Sequence, residues 1–142
     1  FTYSGHPVAA AVAIETLKIY DETNLVAHAA EVGAHMQAEL RRRFTDHPIV
    51  GEVRGVGLIG AIELSSDKAA RKPIDPAKKA GARLCKLGEE NGVILRAMIN
   101  DSMGFSPPLV ITKQEVNEML DRVGKSLDTL AVELRRESIA AV

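Results

Sequence analysis

The stretch Ile49–Leu64, IVGEVRGVGLIGAIEL, separates two segments of helical periodicity and does most to decide the fold class. It carries glycines at 51, 55, 57 and 60. Each interior glycine costs a helix about 1 kcal/mol relative to alanine, so a helix is excluded here. Leu58-Ile59-Gly60-Ala61-Ile62-Glu63-Leu64 reads as a strand, and Gly55-Val56-Gly57 as a tight turn or bulge. A G-x-G that cradles phosphate opens a helix directly after it. A strand follows here, which argues against a nucleotide loop.

The flanking segments are helical. Residues 7–20 begin with a proline suited to a first turn and are apolar on most sides as far as Glu15, so this helix is expected to be buried on most sides. Asp21-Glu22-Thr23-Asn24 breaks it. Residues 24–44 place Leu25, Ala29, Val32, Met36, Leu40 and Phe44 on one stripe. His28 and His35 lie off the stripe and are expected to face solvent or a partner. Pro48 ends the helix. Residues 65–75 are polar loop. Asp75-Pro76 is an N-cap signal for a helix to about Glu90, closed by Asn91-Gly92. Val93-Ile94-Leu95 is expected as a short buried strand, 97–104 as a loop and Phe105–Leu109 as extended. Thr112-x-x-Glu115 is a capping box for a final helix to Glu137, with Val116, Leu120, Val123, Leu127, Leu130 and Leu134 inward. The order predicts an α+β fold, a small mostly antiparallel sheet covered by helices on one face. Residues 1–22 are expected to belong to a different unit from 23–142.

Composition narrows the function. A net charge of −1 gives no reason to expect nucleic acid or an acidic membrane surface. Arg41-Arg42-Arg43 fits a helix C-terminal charge preference. The single Cys85 reads as a small core residue, excludes an internal disulfide framework and fits a reducing, cytoplasmic compartment. No apolar stretch reaches the length of a membrane span. Aromatics are only 4%, with no Trp, so part of the surface is expected to be covered by something else.

No complete catalytic constellation appears. The histidines at 6, 28, 35 and 47 are scattered, and no metal is expected. Two places stand out. Thr2-Tyr3-Ser4-Gly5-His6-Pro7 gathers hydroxyls and a glycine before a helix start, where donors can meet an anion; spacing alone favours a plain N-cap. Arg96 follows the 93–95 segment, where a guanidinium can take a carboxylate in a bidentate grip; on local sequence alone, a surface pair with Asp101 is the better reading. A stand-alone α+β module that binds an anion or a partner without chemistry remains open.

Three stretches taken together, FTYSGHPVAAAVAIETLKIYDE, VGEVRGVGLIGAIEL and GVILRAMINDSMGFSPPLVITKQEVNEMLDRV, resemble the C-terminal third of class III aminotransferases in order and spacing. These are fold type I enzymes that use pyridoxal 5′-phosphate (PLP), and the resemblance is to the omega-transaminase branch. It implies transfer of an amino group from an amine or omega-amino acid to a keto acid such as pyruvate. It implies a homodimer in which Thr2 holds the cofactor phosphate of the neighbouring subunit and Phe1 lines that subunit's substrate pocket. It implies that Arg96 is a mobile carboxylate-binding arginine. On this resemblance residues 1–22 close a large PLP-binding domain, and 23–142 form the small domain. The Schiff-base lysine lies upstream in such enzymes, so no catalytic residue is expected here and the chain is expected to be inactive alone.

Overall fold

The computed structural model describes residues 4–140, so Phe1 and Thr2 lie outside the described residues. The elements are α1 (Pro7–Glu22), α2 (Leu25–Phe44), β1 (Val50–Val56), β2 (Ile59–Leu64), α3 (Ala80–Glu90), β3 (Arg96–Ala97), β4 (Ser102–Phe105) and α4 (Lys113–Ala140), with short 3₁₀ turns at Pro76–Lys78 and Ile99–Asp101. The four strands pair antiparallel throughout in the order β1-β2-β4-β3. The fold is α+β.

The core lies between one sheet face and the helices. Met36 and Leu40 of α2, Ile62 of β2, Met103 of β4 and Leu84 of α3 are fully buried, as are Val116, Leu120, Val123, Leu127 and Leu130 of α4. Val50 and Val53 lie three residues apart and would face opposite sides of a regular strand. A bulge between Val50 and Glu52 turns both inward, opposite Leu64 and Ile62. From α2, the Gln37 amide donates to the carbonyls of Gly57 and Ile59 (2.9 and 3.1 Å), pinning the β1–β2 turn to the helix.

Helices α2 and α4 run parallel, because their partners advance together: His28 with the Ile111 carbonyl, Glu31 with Lys113, His35 with Asn117, and Arg43 with Asp121. His28 and His35, off the stripe, are half-buried and bond to the Ile111 carbonyl and to Asn117 at the start of α4. The capping box forms as expected, with the Thr112 amide donating to Glu115 (2.8 Å) and the Glu115 amide to the Thr112 hydroxyl (3.2 Å). At the end of α3, Gly92 has φ +79° and the Val93 amide donates to the Gly88 carbonyl (2.8 Å), which satisfies the helix end.

Three further expectations change. The helix expected from Pro76 is split, because Lys79 is left-handed (φ 48°) and α3 starts after it. Val93-Ile94-Leu95 is not a strand, and Ile94 is 91% exposed. Gly88 explains part of this: a Cβ there would meet the Val93 carbonyl and Leu95 within 3.1 Å, so the chain is already folded back against α3 before it can pair. Finally, α1 has no buried residue, since the described chain places little against it.

Candidate active site

Strands β3 and β4 form a tight hairpin inside the segment expected as loop, and Arg96 lies within β3. The register places Arg96 opposite Gly104, Gly104 opposite Ala61, and Ala61 opposite Arg54. Successive residues of a strand alternate between faces. Ile62 and Met103 face the core, so Arg54, Ala61, Gly104 and Arg96 form one row across the outer face. Two arginines stand at its ends, with the two smallest side chains between them.

The two arginines differ. Arg54 Nη1 pairs with Glu63 (2.9 Å) and Glu52 (3.2 Å), and its Nη2 donates to the Ser102 hydroxyl (3.2 Å). Its charge is taken up and its position is fixed. Arg96 is exposed and pairs with no acid among the described residues. Asp101, its expected partner, instead accepts from the Gly81 amide at the start of α3 (2.9 Å). Its sequence neighbours Ile94, Met98 and Ile99 are all exposed. A free guanidinium with apolar sequence neighbours suits an organic ligand that carries a carboxylate.

At the other candidate, Gly5 has φ +74° and the N-cap of α1 is His6, whose Nδ1 accepts from the Ala9 amide (3.5 Å). The cap is thus an imidazole, which a search for hydroxyl caps overlooks. The Phe1 and Thr2 roles fall outside the described residues. Among the described residues no group of three His, Cys, Asp or Glu could hold a metal, and no helix is long and apolar enough to cross a membrane. Cys85 is half-buried, its thiol directed at the Leu95 carbonyl.

None of the eight lysines is buried. The one that is half-buried, Lys78, lies beside Glu137 (3.8 Å) and Ser138 (3.4 Å). A cavity of about 1070 Å³ lies between the 65–76 loop and the C-terminal half of α4, and none of its lining residues comes from β3 or β4. The described residues therefore offer no desolvated amine to bond an aldehyde cofactor, and Arg96 does not line this cavity.

Residues 1–127 match the family model of class III aminotransferases. The chain belongs to this family. An uncharacterized aminotransferase of Sinorhizobium fredii is 47% identical over 138 residues, which are 96% of this chain and 30% of that protein. The diaminobutyrate–2-oxoglutarate transaminase of Halomonas elongata is 42% identical over 96% of this chain and 29% of its own length. A transaminase structure with L-alanine superposes with a TM-score of 0.88 at 48% identity, covering 94% of this chain and 31% of that one. The omega-transaminase of Pseudomonas jessenii in complex with PMP gives a TM-score of 0.84 at 43% identity, over 92% and 28%. The chain thus spans about 30% of the length of its class III relatives and corresponds to the C-terminal region of omega-transaminase-like enzymes.

Proposed function

We propose that this region supplies the carboxylate-recognising edge of a PLP-dependent omega-transaminase, which moves an amino group from an amine or omega-amino acid to a keto acid such as pyruvate. The observation that carries the reading is Arg96. It stands on the outer sheet face without an acidic partner among the described residues, while Arg54 in the same row is held by Glu52 and Glu63. A planar guanidinium grips a carboxylate through two parallel N–H···O bonds. A head free to swing aside lets one site take both a charged acceptor and an apolar donor, and Ile94, Met98 and Ile99 suit the hydrocarbon part of the donor.

When bound, PLP acts as the electron sink for the reacting carbon. The described residues hold no group fitted to bond its aldehyde, so no chemical step is assigned to them. Their part is to bind and orient the acceptor. In this reading Thr2 holds the cofactor phosphate of the neighbouring subunit of a homodimer, and Phe1 lines that subunit's pocket. Residues 1–22 complete the large domain, 23–142 form the small domain, and the enzyme is cytoplasmic. The family match favours an enzyme over a non-catalytic binding module.

The test is Arg96→Ala in the full-length enzyme. Bonds to a charged group contribute about 1.5–3 kcal/mol, so turnover with pyruvate should fall roughly ten- to a hundredfold while the half-reaction with an amine lacking a carboxylate is nearly unchanged. Equal losses for both would remove Arg96 from this role.

A further inference from the structure

Asn100 and Asp101 are consecutive non-glycine residues in the left-handed region, with φ 58° and 53°. That conformation is costly for residues with a Cβ, though Asn and Asp tolerate it best. It persists only where surrounding contacts enforce it. Here the contacts are visible. The Met98 amide donates to the Ser102 carbonyl (2.7 Å), closing the turn between β3 and β4. The turn carries the Asp101 carboxylate beneath the first turn of α3, where Oδ1 accepts from the Gly81 amide. Helix α3 needs that acceptor, because its own N-cap, Lys79, makes no side-chain cap bond. A carboxylate at a helix N-terminus is also favoured by the helix dipole.

Gly81 makes the seating possible. A Cβ there would lie 2.8 Å from Asp101 Oδ1 and 3.4 Å from the Ala97 Cβ. Ala97 is the neighbour of Arg96 in β3. On the other face, Met98 covers Gly104, where a Cβ would fall 2.7 Å from its sulfur. The hairpin is therefore clamped to α3 at its base, while the Arg96 head is free on the opposite face.

We propose that Asp101 is a positioning residue for Arg96: its bond to Gly81 fixes the hairpin on α3 and so sets how well the site holds a substrate carboxylate. This rests on the reading of Arg96 above. Asp101 acts through the backbone and touches no substrate.

The test compares two variants of the full-length enzyme. Asp101→Gly keeps the left-handed backbone and removes the cap. Asp101→Asn keeps both. Asp101→Gly should raise KM for pyruvate about tenfold, since small displacements of a positioning group cost that much or more. It should leave kcat for an amine without a carboxylate within about twofold. Hydrogen exchange at the Gly81 amide should accelerate in Asp101→Gly, and Asp101→Asn should restore both readouts. Should Asp101→Gly fail to fold, Gly81→Ala displaces Asp101 from the other side and must produce the same split. A freed Gly81 amide with unchanged pyruvate KM, or equal losses on both substrates, overturns the proposal. Arg96→Ala is measured alongside. If it raises pyruvate KM where Asp101→Gly does not, this inference alone falls; if it does not, the Arg96 reading falls and this falls with it.

Discussion

Gly33 of α2 and Gly57 of the β1–β2 turn are in direct backbone contact: a Cβ on Gly33 would stand 2.7 Å from the Gly57 carbonyl carbon. The helix can lie this close to the hairpin only because position 33 lacks a side chain. Alanine would add about 1 kcal/mol of helix propensity. Against that, overpacking costs about 1–3 kcal/mol, and a backbone obstacle cannot swing aside as a side chain would. Gly33→Ala should therefore lower stability by up to about 2 kcal/mol in denaturant unfolding. A gain would show that the turn moves freely.

Gln37, one turn further along α2, bonds to that same turn through its amide nitrogen. Gln37→Glu replaces a donor by a carboxylate aimed at two carbonyl oxygens. A loss of about 1–3 kcal/mol is expected at neutral pH. The sign of the pH dependence follows: the folded protein would prefer the protonated acid, so the new group's pKa rises on folding and its penalty grows as pH climbs above the ordinary carboxylate range. A penalty independent of pH would count against this geometry.

Glu39 shows the reverse shift. Bonds from Arg42, then Arg43, hold its carboxyl down to about 2. A depressed acid stabilises the fold above its unfolded pKa, and the contribution fades as pH falls through the folded value. Arg42 is open to water, so the net effect is about 1 kcal/mol or less. Glu39→Gln should therefore be less stable than the parent above about pH 4.5, with the two converging as pH falls toward 2. A gap that persists at the acid end would point to lost packing instead.

The capping box gives a further test. Thr112 and Glu115 satisfy each other's backbone amides at the start of α4, and the Thr112 amide and hydroxyl, both donating to the Glu115 carboxylate, lower its pKa. Thr112→Ala should lower Tm, Thr112→Ser should restore most of the loss, and amide exchange should rise first at Glu115. No change at the Glu115 amide would mean that tertiary packing alone holds this end.

What the sequence shows and hides follows from the range of each signal. The stripes of α2 and α4, the capping box and the Asn91-Gly92 stop are local patterns of spacing and conformation, and the structure keeps them. The break at Lys79 carries no glycine to mark it. The β3–β4 hairpin is two residues wide on one side and turns through Asn100 and Asp101, so it reads as loop. His28 and His35 find partners in Ile111 and Asn117, over eighty residues away and beyond the reach of any local pattern. Arg96 was legible as a candidate, but its row with Arg54 and the diversion of Asp101 to Gly81 exist only once strands pair.

The most direct test of the central claim is borohydride reduction of the protein purified from its source, followed by mass spectrometry of its peptides. Reduction fixes PLP to its lysine as a stable pyridoxyl adduct. The account predicts one adduct, on a lysine of the same polypeptide that is none of Lys18, Lys68, Lys72, Lys78, Lys79, Lys86, Lys113 and Lys125. An adduct on one of these eight, or none on the polypeptide at all, would contradict it.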